Sequence, residues 1–181
     1  MESGVTIRPA MLRDAGAFAD YVVVHVTESG KDGAPVFSPA GRPSREEMRD
    51  NAKVRWARRL NEPQWGRAWL LEIEGTPGVV GHIELRGGRI LSEMHRATLG
   101  MGMLQVFTRR GHGRRLLDTA IAWAREETAI AWIDLGVFGG NEPARKLYER
   151  AGFQREFLRR DAFRNDDGSS IDDVLMTLAL R

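Results

Sequence analysis

The chain has no cysteine among its 181 residues. That absence removes a disulfide framework, thiolate metal sites and cysteine nucleophiles together, and it is the composition expected in a reducing compartment. Lysine is scarce as well. Only three of the 27 basic residues are lysines, the rest being arginines. The sequence pI near 9.4 therefore reflects arginine's high pKa more than an excess of positive charge, since 25 acidic residues leave a net charge of +2. A nucleic-acid binder concentrates its basic residues in a patch. Here the best candidate patch is Arg155, Arg159, Arg160 and Arg164, and the solvated face of a hairpin accounts for it, so nucleic acid is not an expected partner. No stretch approaches the roughly 20 apolar residues of a membrane span. The segment from Met1 to Val5 shows no basic region leading into an apolar run, so no leader is expected and a cytoplasmic location is. Neither Gly-Lys-Ser/Thr nor Gly-x-Ser-x-Gly occurs, and His25, His82 and His95 lack metal-ligand spacing. A P-loop, a serine-nucleophile elbow and a metal site are accordingly not expected.

What remains is an ordinary globular composition, 42% hydrophobic and 29% charged, at a length that suits one domain over residues 1–181. Val5 to Arg8 reads as a strand. Asp14 to about Thr27 reads as a helix, with Phe18, Tyr21, Val22 and His25 at helical spacing. The residues from Glu28 to Pro43 read as a long loop, and Ser44-Arg-Glu-Glu47 is a capping box opening a second helix that reaches about Leu60. Trp69 to Glu74 and Val79 to Arg86 are strands around the turn Gly75-Thr-Pro-Gly78, and Ala97 to Leu104 is a fourth. Leu116, Leu117, Ala120, Ile121 and Ala124 stripe a helix from Gly113 to about Glu127. Ala131 to Val137 is a fifth strand, followed by a helix from Glu142 to Ala151 closed by Gly152. Phe153 to Arg164 and Ile171 to Leu180 are strands around a turn at residues 165–168. Hairpins first, then strand–helix–strand–helix, give an α/β chain with one mixed sheet flanked by helices.

Chemistry concentrates where the fourth strand meets the next helix. Arg109-Arg-Gly-His-Gly113 lies between them. Glycines let successive backbone N–H groups turn toward one point, and the helix N-terminus adds partial positive charge there. Together these would form a cradle for a pyrophosphate, with a simple tight turn as the other reading of a bare Gly-x-Gly. Leu116 stands where a dinucleotide fingerprint needs its third glycine. Gly100 and Gly102, inside the strand, suggest a bulge or the close approach of a ligand.

A second motif follows the fifth strand: Asn141, Ala144, Leu147-Tyr148 and Gly152-Phe153. With Thr108-Arg-Arg-Gly-His-Gly113 ahead of it, the sequence resembles the GNAT superfamily of N-acetyltransferases, well from Val79 to Phe153. The resemblance implies that family's fold, a mostly antiparallel central sheet flanked by helices, and acetyl-CoA as cosubstrate. It implies that the backbone of Arg109, Arg110, Gly111, His112, Gly113 and Arg114 holds the CoA pyrophosphate. It implies that the main chain of Met101, Gly102 and Met103 pairs with the pantetheine and the acetyl carbonyl, that Asn141 touches the pantetheine arm, and that Tyr148 is the general acid at the sulfur. The departures are Thr108, where the family usually has Gln or Arg, and Gln105, where it often has Pro.

Each residue also has a plainer role: Asn141 as a helix cap, Tyr148 as core, and His112 as an exposed loop residue. Aminolysis of a thioester further requires a group to take the amine's proton. Glu84, His82 and Glu93 are candidates; strand alternation puts His82, Glu84 and Arg86 on one face, and Glu84 is the first choice, with a surface salt bridge as its other reading. The expected activity is transfer of an acetyl group to a primary amine, small-molecule or peptide, by direct attack; a homodimer is compatible with this. A non-catalytic acyl-CoA sensor, a different acyl-CoA donor and an RNA-associated protein stay open as alternatives.

Overall fold

In the computed structural model, which describes residues 4–38, 44–127, 129–165 and 167–181, the elements follow the expected order with small shifts at their ends. The strands are β1 (Val5–Pro9), β2 (Gly66–Ile73), β3 (Gly81–Gly87), β4 (Arg96–Met103), β5 (Trp132–Phe138), β6 (Gln154–Arg164) and β7 (Ser170–Ala179). The helices are α1 (Ala15–Thr27), α2 (Arg45–Ala57), α3 (His112–Glu126) and α4 (Glu142–Arg150). Short 3₁₀ turns at Leu12–Asp14, Leu91–Glu93 and Gln105–Phe107 interrupt what the sequence reads as loop. The loop expected over residues 28–43 is described as far as Ser38; residues 39–43, and Asp166 of the expected 165–168 turn, lie outside the described residues.

Local chemistry explains where the helices begin and end. The capping box at α2 forms as read: Ser44 Oγ accepts from the Glu47 N–H at 3.2 Å, and the Glu47 carboxylate accepts from the Ser44 N–H at 2.7 Å. Gly152 follows α4 with φ of 98°, a left-handed cap that favours glycine. The stripe on α3 is fully buried at Leu116, Leu117, Ala120 and Ala124, and each leucine contributes about 1.5–3 kcal/mol of burial.

All seven strands join one sheet in the order β1-β2-β3-β4-β5-β7-β6. Every neighbouring pair is antiparallel except β4 and β5, which run parallel. The main core lies under α3 and joins Leu71, Ile83, Leu85 and Leu99 to the helix stripe and to Tyr148 and Phe153. A smaller core on the other face packs Phe18 and Tyr21 of α1 and Ala52 of α2 against Leu70 and Val79.

The parallel pair is the architectural point that places the site. It is joined only at Arg96↔Trp132, Ala97↔Ile133 and Thr98↔Asp134. Beyond Thr98, β4 runs on to Met103 and β5 to Phe138 without pairing to each other. The sheet therefore opens into a wedge at its middle.

Candidate active site

One wall of the wedge is the free edge of β4. Its other edge pairs with β3 without a break from Gly87↔Ala97 to Gly81↔Met103. The glycines at 100 and 102 therefore mark no bulge, contrary to one of the two meanings the sequence allows them. The Leu104 N–H donates to the Val80 carbonyl at 2.9 Å, which fixes the alternation of the ladder. Positions 104, 102 and 100 turn their main-chain groups toward β3, and Met103 and Met101 turn theirs toward the wedge. Within the segment expected to bind a ligand by its backbone, then, Met101 and Met103 present donors and acceptors to the opening, while Gly102 does something else.

What Gly102 does is leave room. A Cβ there would lie 2.5 Å from His25 Nε2 and 3.1 Å from His82 Cε1. Two imidazoles, one from α1 and one from β3, thus close over the strand at this point. His82 Nδ1 is 3.1 Å from the Tyr21 hydroxyl, and its ring meets Phe18 edge-on at 5.0 Å. Burial holds the His25 imidazole down at about 4, a hydrogen bond with the Met103 backbone opposing it. Desolvation, with the positive fields of Arg86 and Arg55 adding to it, holds His82 at about 3. Both rings are neutral at neutral pH.

The floor of the wedge is the β4–α3 connection. Gly111 has φ of 82° and forms the N-cap of α3, and Arg109 also takes a positive φ, 60°. No heavy atom lies within 4 Å of where a Gly111 Cβ would be, so this concave turn is open. The Arg114 N–H, expected among the phosphate donors, is bonded to the Gly111 carbonyl at 3.1 Å. Gly113 serves packing: a Cβ would meet Leu147 at 3.3 Å.

The far wall carries α4. Asn141 Oδ1 accepts from the Ala144 N–H at 3.3 Å, capping the helix. Tyr148 is buried against Phe153, ring centroids 5.8 Å apart, and burial pushes its hydroxyl up to about 12. It keeps its proton at neutral pH.

A strand that opens from its neighbour, a free main-chain edge and a glycine turn at the next helix make a slot for an extended ligand ending in phosphates. Over residues 36–153 the sequence matches the acetyltransferase (GNAT) family. The chain belongs to that family.

GNAT structures share the whole architecture. An acetyltransferase of this family from Streptococcus pneumoniae superimposes with a TM-score of 0.78 at 21% identity, covering 97% of this chain and 99% of that one. The yncA protein from Salmonella typhimurium, solved with its cofactor acetyl-CoA, gives 0.81 at 19% identity over 99% and 95%. Spermidine N-acetyltransferase from Vibrio cholerae, solved with CoA and spermine, gives 0.72 at 19% over 98% and 96%. Against these GNAT relatives the fold class read from the sequence holds in full.

Two side chains lie otherwise than the sequence suggests. His112 is not an exposed loop residue: it opens α3 and is 3% exposed, because the turn at Gly111 folds it inward beneath the helix start. Glu84 sits in no surface salt bridge. Its side chain is buried on β3, where Oε1 and Oε2 accept from Arg55 at 3.0 and 3.2 Å and Oε1 also accepts from Trp56 Nε1 at 3.1 Å. His82, Glu84 and Arg86 do share the face toward α1 and α2, as alternation requires. Glu93 is in the 3₁₀ turn before β4, where it accepts from the Arg89 N–H, at the opposite end of the strand from Gly102.

The sequence assigns no site role to His25, Phe37 or Gln105. Gln105 had been noted only as a departure, and the structure shows what it does. Its N–H, which proline lacks, donates to the Glu28 carboxylate at 2.9 Å, and its side-chain amide donates to the Asp32 carbonyl at 2.8 Å. The end of β4 is thereby tied to the loop after α1. Thr108, the other departure, turns its hydroxyl to the Gln105 carbonyl at 2.8 Å. Among the described residues no helix is long and apolar enough to cross a membrane.

Proposed function

We propose that this enzyme transfers the acetyl group of acetyl-CoA to a primary amine by direct attack, with both substrates bound at once. The observation that carries the reading is the wedge: the free edge of Met101 and Met103 leads into the open turn at Arg109–Gly113. Backbone donors of Arg109, Arg110, Gly111, His112 and Gly113 hold the pyrophosphate with the help of the α3 dipole. Met101 and Met103 pair with the pantetheine as a strand would, and one of their N–H groups faces the thioester carbonyl as negative charge develops on it. Asn141 reaches the pantetheine from the far wall. Tyr148, protonated at neutral pH, gives its proton to the departing thiolate.

Direct transfer needs no nucleophile from the protein, and the chain, lacking cysteine, has no thiol to offer. An amine freed of its proton attacks a thioester unaided, so position, an oxyanion donor and a proton for sulfur are what the fold must supply. The acceptor lies on the α1 side of β4. The loop after α1, tied to the end of β4, and the β6–β7 hairpin would shape that site for a small amine or the N-terminus of a peptide.

The test is release of free CoA from acetyl-CoA with spermidine, free amino acids and an alanine-terminated peptide as acceptors. Release with at least one of them, and intersecting initial-rate lines at several fixed acceptor concentrations, is the expected result. Parallel lines together with an acetylated protein competent to pass the group on would replace direct transfer by a covalent relay. Binding of acetyl-CoA without release for any amine would favour an acyl-CoA sensor.

A further inference from the structure

His25 stands on the last turn of α1 between two rings. Tyr21 stacks on one side at 5.7 Å and 9°, and Phe37 on the other at 4.5 Å and 8°. The sandwich fixes the plane of the imidazole. Its Nε2 projects over the strand at Gly102, whose missing side chain makes the approach possible. Its Nδ1 is buried without a hydrogen-bond partner and lies 3.8 Å from Glu28 Oε2. Glu28 in turn is held by the Gln105 N–H, and Gln105 anchors the loop that carries Phe37 through the Asp32 carbonyl.

We propose that His25 Nε2 takes the proton of the acceptor amine, with Glu28 as the positioning residue behind it. The assignment rests on the acetyl-transfer reading above and adds the base that reading lacks. The groups named from the sequence are engaged elsewhere. Both oxygens of Glu84 are taken by Arg55, with Trp56 on one of them; His82 Nδ1 is on the Tyr21 hydroxyl; Glu93 is at the wrong end of β4. His25 brings its Nε2 over the residue between Met101 and Met103, beside the Met103 backbone. With its proton on Nδ1, toward Glu28, its Nε2 keeps a lone pair facing that point. This is the base-and-orienter arrangement common to activated sites.

The proton balance closes. As the amine nitrogen bonds to the acyl carbon it becomes cationic and strongly acidic, so a weak base that is neutral at rest suffices. One N–H proton passes to Nε2, the C–S bond breaks, and Tyr148 protonates the sulfur. The His25 imidazolium is favoured by the Glu28 carboxylate at one nitrogen and the Met103 backbone nearby, while Tyr21, His82 and, behind His82, Arg55 and Arg86 complete its charged and titratable surroundings. Water then receives the proton from His25 and restores the one on Tyr148.

The experiment compares parent, His25→Ala, His25→Gln and Glu28→Gln by CoA release, using whichever of spermidine, amino acids and the alanine-terminated peptide the parent acetylates best. Melting with and without acetyl-CoA reports folding and donor binding for each. The expected result for His25→Ala is a retained acetyl-CoA shift, a kcat lower by roughly 10²–10⁴-fold, and partial recovery with added imidazole. His25→Gln, which keeps bulk and polarity, is expected to be equally slow, and it serves alone if the alanine variant fails to fold. Glu28→Gln is expected to lower kcat less than either. A parent that releases CoA and a folded His25→Gln within threefold of it in kcat would overturn the assignment and leave acetyl transfer standing; so would a loss confined to KM. A parent that neither binds acetyl-CoA nor releases CoA with any amine would overturn both.

Discussion

The two sides of β4 are built from different materials. Toward β5 the strand offers main chain: the edge of Met101 and Met103, then the turn at Gly111 and the first amides of α3. Toward α1 it offers side chains gathered from distant segments: His25 and Tyr21 from α1, Arg55 and Trp56 from α2, His82 and Glu84 from β3. A ligand that meets the first side meets groups every sequence possesses, fixed by where glycines allow the backbone to turn. A ligand on the second side meets groups that belong to this chain. In the proposed reaction the donor would be read by backbone geometry, and the acceptor by residue identity.

That contrast can be broken by substitution, and the largest effect is expected at Tyr148. Tyr148→Phe removes one hydroxyl and should preserve the fold and the acetyl-CoA melting shift, while turnover falls by roughly 10²–10⁴-fold. Unchanged turnover would make Tyr148 a packing residue and leave the wedge without a side chain of its own. On the acceptor side the buried ion pair comes next. Glu84→Ala leaves Arg55 beneath α2 without its carboxylate, and loss of one partner of a buried pair costs about 3–5 kcal/mol. Chemical denaturation should show that loss; a change below about 1 kcal/mol would mean that water solvates the pair and that this side is less assembled than it looks.

A smaller effect is expected from the backbone side. Ligand at 100 times its Kd stabilises a fold by about 2.7 kcal/mol. Gly111→Val puts a β-branched residue at φ of 82° and into the open turn, so the acetyl-CoA melting shift should largely vanish. A preserved shift would show that side chains, not amides, hold the pyrophosphate. The smallest effect concerns pH. His25 and His82 both fold in the neutral form, at about 4 and about 3 against 6.5 unfolded. The unfolded chain therefore binds more protons below pH 6.5, and stability falls as pH drops from there toward pH 3. Near pH 5.5 each ring accounts for about 1 kcal/mol. Denaturation at pH 7.5 and 5.5 should show a shallower decline in His82→Gln than in the parent. Equal declines would assign the acid sensitivity to carboxylates alone.

Legibility in the sequence followed the same division. The elements, the cap at Ser44, the glycine turn before α3 and the stripe on that helix are local patterns, carried by neighbours within a few residues, and they lie where expected. The wedge was not, because nothing in β4 or β5 states that their pairing stops at Thr98; the divergence is a property of the sheet. His112 was misjudged since its burial depends on the sense of the turn at Gly111. Glu84 was misjudged since its partners come from 28 and 29 positions away. Gln105 did carry a signal, a proline replaced by a residue with an N–H, but the signal named no partner until Glu28 and Asp32 stood beside it.

An unpaired strand edge is ordinarily a hazard, since another chain can add to it and propagate. Here the exposed edges lie inside the sheet and face each other across an opening that begins at a single strand spacing. Near its apex the opening is narrower than two spacings of about 4.8 Å, so no third strand can enter, from this chain or a neighbour. There the edges suit something thinner than a polypeptide, with hydrogen-bonding groups along one side. Near that apex it is the divergence of β4 from β5, and not a covering segment, that keeps this backbone unpaired.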